Sequence, residues 1–279
     1  MEQLPEGLQY SGTCHSILDR HIAYHDIKPY LQDALNQLLL AHDMNFHVDT
    51  RTFLANYFRL VKKGTHTVFR EYDYVVLTNH NRISFLSSIR KFYQPLRHQD
   101  VTADEFFSLL RLLCPDFPRF LVIRAFKTIR TRETETQHCA FHHLLTALAF
   151  HVYFEKFVSS LFSKLSNVMT RVEDLSTPPT AYCSNQCCSA GTQTMFTEPL
   201  SPSLDNPSDG MFETEKFKQA ISDLCADQGC AFPSQCLVRS CALRLFKEPN
   251  VNVYRFFKTL IGERTLWTEI GLDRICMDD

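Results

Sequence analysis

The sequence predicts a mainly α-helical fold, and three observations support that prediction. Only 8 of the 279 residues are glycine, roughly 3% where about 7% is usual, and sandwiches and barrels need glycine in their many turns. Apolar residues recur at the spacing of a helix face over several long stretches. Capping residues, prolines and single glycines mark where these stretches begin and end.

Residues 1–16 are expected to form a loose leader, because they contain two glycines and a proline and show no periodicity. Residues 17–64 are predicted to form a helical hairpin. The apolar stripe of its first helix consists of Tyr30, Leu31, Ala34, Leu35, Leu38 and Leu39. The second helix begins at Asp49 or Thr50 and ends at Gly64, and its predicted buried face consists of Phe53, Leu54, Tyr57, Phe58 and Val61.

Residues 65–174 are predicted to form a helical domain. It opens with residues 67–77, whose valines and aromatic residues favour an extended segment. A helix then begins at Thr78 or Asn79 and stops before Pro95. Thr102 and Glu105 have the spacing of a capping box, which predicts the start of the next helix.

Prolines and a polar break divide the rest of this domain. Pro115 ends the helix that follows the capping box, and Pro118 begins another, which continues to residue 129. Residues 130–138 are polar, and the apolar pattern then returns for one long helix over residues 140–174.

Residues 175–210 are rich in proline, serine and threonine, and they are predicted to be a disordered linker because they contain too few apolar residues to offset chain entropy. A second, smaller helical unit is predicted over residues 211–279. Its helices end near Gly229, Phe246 and Gly262, and a last short helix is expected over residues 265–275.

Composition and motifs exclude several classes of function. The chain has no Gly-x-Gly pair and no Gly-Lys-Ser/Thr, which argues against Rossmann and P-loop nucleotide sites. It also has no Gly-x-Ser-x-Gly and no His-Glu-x-x-His, so we expect no enzymatic activity. A formal charge of −2 argues against a dedicated nucleic-acid binder. With no signal peptide pattern and no long apolar run, the expectation is a cytoplasmic protein with reduced thiols.

The sequence lacks the ligand patterns of calcium and zinc sites, so we expect no cofactor. The helix, polar break and helix around residues 130–143 are predicted to be a degenerate EF-hand-like unit, and residues 242–253 form a similar one. Placing the last loop position at His143 puts Arg132, Thr134 and Thr136 where calcium requires carboxylates. The cysteines lack the paired Cys-x2-Cys knuckles of structural zinc sites.

The hairpin is the main candidate for binding a partner. Its two apolar stripes and polar turn resemble the docking-and-dimerisation fold of protein kinase A regulatory subunits, in which a dimeric four-helix bundle accepts an amphipathic helix. The alternative is an ordinary hairpin packed on its own domain. The candidate docking residues are Leu31, Leu35, Leu38, Phe53, Leu54, Tyr57 and Phe58.

A short linear motif lies in the predicted linker. Thr192, Gln193 and Thr194 resemble the segment by which clients add a strand to the edge of a dynein light chain. Thr177 and Ser201 each precede a proline, which makes them candidate sites of proline-directed phosphorylation.

Three blocks of sequence resemble a known family. They are residues 64–71, which contain Gly-Thr-His and Phe-Arg-Glu, residues 80–86 (His-Asn-Arg-Ile-Ser-Phe-Leu) and residues 109–118, which end in Cys-Pro-Asp-Phe-Pro. Together with the hairpin before them, they are similar to the centriolar satellite-associated tubulin polyglutamylase complex regulator family. Within these blocks, Arg70, Glu71 and Arg82 are expected to form either a buried salt-bridged pair or a patch that faces a partner.

The resemblance implies a non-catalytic regulator or scaffold that supports assembly and stability of the tubulin polyglutamylase complex, with a tubulin tyrosine ligase-like enzyme as its catalytic partner. It also implies other subunits of that complex, centriolar satellite proteins and microtubules as partners, and a place at the centrosome and cytoskeleton. The docking-and-dimerisation resemblance of the hairpin implies a homodimer. The alternative is a helical adaptor that docks amphipathic helices or dynein light chain independently of tubulin modification.

Overall fold

The computed structural model describes residues 27–44, 49–130, 138–173, 210–226 and 232–272. Within these ranges, 74% of the residues lie in twelve α-helices, which confirms the predicted mainly helical class. The helices are α1 (Ile27–Asp43), α2 (Thr50–Lys63), α3 (Tyr72–Val76), α4 (Asn79–Phe92), α5 (Ala103–Leu113), α6 (Arg119–Ile129), α7 (Phe141–Tyr153), α8 (Glu155–Glu173), α9 (Thr214–Ala226), α10 (Gln235–Leu245), α11 (Val253–Ile261) and α12 (Arg264–Glu269).

Two pairs of very short strands join helices that are distant in sequence. Strand β1 (Asp100–Val101) pairs antiparallel with β2 (Cys139–Ala140), and β3 (Met211–Glu213) pairs in the same way with β4 (Asn250–Asn252). Each strand lies between two helices. The first pair therefore joins α4–β1–α5 to α6–β2–α7, and the second joins α8–β3–α9 to α10–β4–α11.

A single apolar core runs through both sets of helices. Phe257 of α11 has its ring centroid 5.5 Å from that of Phe150 in α7 and 6.0 Å from that of Phe162 in α8. Trp267 is fully buried, and its Nε1–H donates to the carbonyl of Ile261. The helices predicted as a second unit thus share one core with residues 65–166. The boundaries between the predicted units stay predictions.

The hairpin of α1 and α2 has a small core of its own. Tyr30, Ala34 and Tyr57 form this cluster, and Leu54 and Phe58 pack against it while remaining half-buried. Because so few side chains are buried there, contacts outside the cluster must fix the hairpin on the rest of the molecule.

Local capping signals are confirmed where the structure describes them. The Asp49 carboxylate accepts from the amide of Thr52, so Asp49 rather than Thr50 is the N-cap of α2. Gly64 ends α2 in the left-handed conformation (φ 69°) that favours glycine. Thr78 caps α4, and Thr102 and Glu105 form the predicted capping box at α5.

Two predictions about helices were wrong, and in both cases a distant side chain explains the outcome. Residues 67–77 were expected to be extended, but α3 forms there because the Asp116 carboxylate accepts from the amide of Tyr72 at its start. The single helix expected over residues 140–174 is interrupted at Phe154, where Arg82 donates to the Tyr153 carbonyl at the end of α7.

Several predicted segments lie outside the described residues. These are the leader over residues 1–16, the linker over residues 175–210 except Gly210, and the helix end at Gly229. The last helix, expected over residues 265–275, is shorter than predicted: it ends at Glu269, and Gly271 after it has the left-handed conformation (φ 70°) that is common where helices end. Gly210 has a φ of 96°, and a Cβ added to it would lie 2.8 Å from the Tyr254 ring, so the close approach of these two residues requires glycine. Among the described helices, none combines the length and apolar character needed to cross a membrane.

Candidate docking surface on the helical hairpin

Helix α1 has two apolar faces with the same spacing, and only one of them is covered. Tyr30, Ala34 and Leu38 point into the molecule and are buried. The next residue after each of these is a leucine. These leucines, Leu31, Leu35 and Leu39, are 39%, 53% and 61% exposed. This second set, which we call the leucine row, forms one continuous stripe because residues four apart lie on the same side of a helix.

The apolar surface extends beyond the leucine row towards the end of α1. Leu40 is 59% exposed and Met44 is 70% exposed. No charged residue lies between Lys28 and His42 except Asp33, which Arg70 neutralises. A contiguous apolar surface without free charge is typical of sites that bind other proteins.

The structure separates the seven predicted docking residues into three groups. Leu31 and Leu35 are exposed and belong to the leucine row. Leu38 and Tyr57 are buried, and Phe53, Leu54 and Phe58 are half-buried on α2. The exposed residues Leu39, Leu40 and Met44 were not predicted as docking residues, although the spacing of Leu39 from Leu35 was the signal that could have indicated it.

An ion pair fixes α1 to the body of the protein. The two terminal nitrogens of the Arg70 guanidinium, Nη2 and Nη1, donate to the Asp33 carboxylate over 2.8 and 3.0 Å. The Tyr57 hydroxyl donates to the same carboxylate over 2.6 Å, and the Arg70 guanidinium lies 3.7 Å from the centre of the Tyr74 ring. Helices α1, α2 and α3 therefore meet at one charged cluster, which we call the anchor cluster.

The environment of the anchor cluster shifts its pKa values. Burial alone would raise the pKa of Asp33, but hydrogen bonds from Arg70 and Tyr57 outweigh it and hold the pKa below its usual value. Burial, and then the hydrogen bond to Asp33, raises the pKa of Tyr57 far above its usual value. Burial also raises the pKa of Tyr74 to about 12. At neutral pH, Asp33 is thus charged while both tyrosines are protonated donors.

A second polar group fixes α1 to the start of α4. The Tyr30 hydroxyl donates to Asn81 Oδ1 over 2.7 Å, so the Thr78 hydroxyl, 2.7 Å away, must donate to Tyr30. His66 Nε2–H donates to the same Asn81 oxygen over 2.8 Å. The Asn81 amide nitrogen donates to the Tyr74 carbonyl, which fixes the orientation of this side chain.

His66 is neutral in this arrangement. Burial is the main cause of its lowered pKa, and its ring stacks at 5.4 Å on that of His80. Since Nε2 carries the proton, Nδ1 holds a lone pair, and it has no partner among the described atoms. A charged ring would place an unsatisfied N–H donor at this buried position.

The residues of the three resembling blocks have mainly structural contacts. Arg70 pairs with Asp33 of α1, which was not among the three residues expected to pair. Its Nε also lies 3.3 Å from the Glu71 carboxylate, whose side chain is 70% exposed. Arg82 is buried and donates to the carbonyls of Val76 and Tyr153 at the ends of α3 and α7. The expected buried pair among Arg70, Glu71 and Arg82 is therefore not formed in this arrangement, because Arg82 bonds to carbonyls and the Glu71 contact is exposed.

Phe69 is an exposed residue that the sequence did not single out as unusual. Its φ of 61° is the single positive value at a residue other than glycine in the described part of the chain, and its side chain is 72% exposed. Its amide donates to the Leu113 carbonyl over 2.7 Å. An aromatic residue in the left-handed region stores conformational strain on the surface.

The predicted metal and linear-motif residues are only partly described. Cys225 and Cys241 are buried on apolar helix faces, as predicted. No three His, Cys, Asp or Glu side chains are grouped for metal binding within the described ranges. Thr192, Gln193 and Thr194, and the loop residues Arg132, Thr134 and Thr136, lie outside those ranges.

The hairpin coincides with a known domain. A family model described as the CSTPP1 N-terminal domain matches residues 16–64, which include α1 and α2. No solved structure matches the chain.

Curated relatives extend the similarity beyond the hairpin. The chain is 32% identical over 146 residues to "Centriolar satellite-associated tubulin polyglutamylase complex regulator 1" of Danio rerio, which covers 52% of this chain and 44% of the relative. It is 32% identical over 143 residues to the Homo sapiens protein of that name, covering 50% and 43% of the two chains. The match spans less than half the length of these relatives. Over about half its own length, the chain is therefore similar to the centriolar satellite-associated tubulin polyglutamylase complex regulators, which confirms the resemblance predicted from its sequence blocks.

Proposed function

We propose that this protein is a non-catalytic regulator or scaffold subunit that supports assembly and stability of the tubulin polyglutamylase complex. The observation that carries the proposal is the exposed leucine row on α1, within the hairpin that the family model matches. The name of the relatives says regulator rather than enzyme. A tubulin tyrosine ligase-like enzyme supplies catalysis in this proposal, and the complex acts at centriolar satellites and the centrosome.

The leucine row fits the apolar face of a partner helix. Its spacing of four residues matches the anchor positions of amphipathic helices that lie in apolar grooves. Covering its three half-exposed leucines would contribute roughly 1 kcal/mol each. A docking-and-dimerisation type hairpin presents such a surface either to a subunit of the complex or to a second copy of itself.

The arrangement of the remaining helices supports an EF-hand-like origin of the body. Each strand pair joins two helix–strand–helix units, as in paired EF-hands. Strand β2 falls near the end of the loop that was expected to finish at His143. We propose that these units retain the packing of EF-hands and serve as a rigid support for the hairpin, without binding calcium.

Copurification from ciliated cells tests the proposed function. The tagged full chain is expected to bring down polyglutamylase subunits, identified by mass spectrometry. Leu35→Glu should abolish this, because it places a charge in the centre of the leucine row. Leu243→Glu is the matched control, since Leu243 is 63% exposed on α10, far from α1 in sequence. Absence of every polyglutamylase subunit from the wild-type sample would contradict the proposal.

A helical adaptor independent of tubulin modification is the second candidate, and the same exposed leucine row favours it. Under this alternative, the wild-type chain brings down helical partners or dynein light chain but no polyglutamylase. Replacing Thr192 and Gln193 with alanine would then remove dynein light chain and leave the partners of the leucine row bound. If that variant recovers as much dynein light chain as the wild type, the linear motif is not its binding site.

A further inference from the structure

The exposed side of α2 carries a row of positive charges. Arg51, Arg59, Lys62 and Lys63 are all exposed. Arg59 follows Arg51 by eight residues, and Lys62 and Lys63 follow Arg59 by three and four, which places all four on one side of the helix. We call these four residues the basic ridge. It spans about 18 Å at 1.5 Å per residue.

The helix that carries the basic ridge contains no acidic residue, and the carboxylate of Asp49 just before it is bonded to Thr52. No Asp or Glu occurs from residue 50 to residue 70, although the whole chain has a formal charge of −2. The fifth cation of this stretch, Arg70, is paired with Asp33. The ridge cations form no ion pair with the described residues, and Arg59 donates only to the Asn56 side chain.

Helix stability accounts for part of this pattern. Lys62 and Lys63 lie in the last turn of α2, where cations interact favourably with the helix dipole. Arg51 lies in the first turn, where the same dipole disfavours a cation, and Arg59 lies near the middle. Neither the helix dipole nor an ion pair with the described residues therefore accounts for the positive charges of Arg51 and Arg59.

The dimensions of the ridge suit an extended peptide. An extended chain of five or six residues covers about 18 Å. Its alternate side chains are about 7 Å apart, close to the rise of about 6 Å between Arg59 and Lys63 on the helix. Carboxylates on alternate residues of such a peptide would meet successive cations.

We propose that the basic ridge of α2 binds an acidic segment of a partner protein, rich in glutamate or aspartate and in extended conformation. Single-stranded nucleic acid is the other polyanion of similar shape, but its binding sites combine cations with aromatic side chains on which bases stack. The exposed residues of α2 include Leu60 but no aromatic residue. The complementary partner is thus a peptide.

Fluorescence anisotropy with a labelled glutamate-rich peptide tests this inference on the full chain. The peptide is expected to bind, while the same peptide with every glutamate replaced by glutamine is not. The double variant Arg51→Gln, Arg59→Gln should bind roughly fivefold to thirtyfold more weakly, because exposed ion pairs each contribute modestly. Binding should also weaken between about 50 mM and 300 mM salt.

A matched double variant makes the test specific. Arg239→Gln with Lys247→Gln removes the same charge from exposed positions outside the hairpin, and it should bind like the wild type. Equal loss in both double variants would overturn the inference, as would tighter binding of a single-stranded oligonucleotide. Leu35→Glu should still bind the peptide. Loss of partner docking at the leucine row is therefore distinguishable from loss of peptide binding at the basic ridge. Unchanged melting of Arg51→Gln, Arg59→Gln would show that loss of binding is not loss of folding.

Discussion

Replacing Asp33 with asparagine should release the hairpin from the body of the protein. Asparagine has nearly the same shape as aspartate, but it has no charge and retains one acceptor oxygen. With its oxygen at the position of Oδ2, the variant can still accept from Tyr57 and Arg70 Nη1, but it loses the acceptor for Arg70 Nη2 and the ion pair. Arg70 would remain largely buried, with no opposite charge closer than the exposed Glu71.

The expected loss is about 2 to 3 kcal/mol. Breaking a fully buried ion pair by removing one partner costs about 3 to 5 kcal/mol. The Asp33 and Arg70 side chains are 14% and 22% exposed, so solvent screening reduces that cost. The small core of the hairpin consists of three buried side chains, two of them tyrosines, and its local stability is consequently small compared with that of the main core.

Native-state hydrogen exchange by mass spectrometry measures this loss for each helix. In Asp33→Asn, amides of α1 and α2 are expected to lose protection by roughly thirtyfold or more, as a 2 kcal/mol loss implies. Amides of α7 in the main core should change little, because opening of the hairpin leaves that core intact. Glu248→Gln serves as the control, since it removes the half-exposed pair with Arg255.

Two results would refute this reasoning. Equal loss of protection in α1, α2 and α7 would mean that the hairpin and the body unfold together, so the anchor cluster would not be a separate joint. Unchanged protection in α1 would mean that the apolar cluster around Ala34 fixes the hairpin without the ion pair. The Glu248→Gln control is expected to change stability by less than about 0.5 kcal/mol.

Acid should weaken the anchor cluster in the wild-type protein. The folded-state pKa of Asp33 is lower than its unfolded value, so its contribution is fully present above the unfolded pKa of about 3.9. That contribution is lost as the pH falls through the folded value. In Asp33→Asn, the protection of α1 should no longer depend on pH in this window.

Three further substitutions test local features of the fold by urea unfolding. Thr102→Ala should lower the free energy of unfolding by about 1 kcal/mol, because it removes the N-cap of α5. Phe69→Gly should raise it by about 1 kcal/mol, because glycine adopts a φ of 61° without strain and the exposed ring loses little contact. Burial lowers the pKa of His151 to about 3, so wild-type stability should fall by up to about 1.4 kcal/mol per pH unit below pH 6.5. His151→Leu should remove that slope.

Acid sensitivity at His151 has a structural cause that the sequence did not reveal. The Thr128 hydroxyl donates to the Arg124 carbonyl, so it accepts from His151 Nε2–H over 2.9 Å. His151 Nδ1 is buried and has no partner among the described atoms. Protonation of Nδ1 would place an N–H donor without an acceptor in the interior. Because that is costly, the charged form of His151 occurs mainly in the unfolded chain.

Features that depend on neighbouring residues were predictable from the sequence. The stop at Gly64, the cap at Asp49 and the box at Thr102 each involve residues within a few positions of one another. The periodicity of α1 and α2 likewise indicated which residues line each helix. Short-range hydrogen bonds and helix geometry are properties of the local chain, which is why sequence patterns predict them.

Features that depend on distant residues were not predictable. The start of α3 depends on Asp116, which is 44 residues from Tyr72. The end of α7 depends on Arg82, which is 71 residues from Tyr153. Valine and aromatic residues in the region of α3 favour a strand by local preference, and only the folded arrangement supplies the carboxylate that begins a helix there.

The same distinction explains what the sequence predicted about the docking surface. One apolar stripe of α1 was predicted, but the helix has two adjacent stripes, and periodicity alone does not show which of them the body covers. The hydrogen bond from Tyr30 to Asn81 and the ion pair of Asp33 with Arg70 determine which stripe is covered. They orient α1 so that the side with Tyr30, Ala34 and Leu38 faces the body. Exposure of the leucine row is therefore a consequence of polar contacts within the resembling blocks. A variant that weakens the anchor cluster should consequently impair partner docking even when every residue of the leucine row is intact.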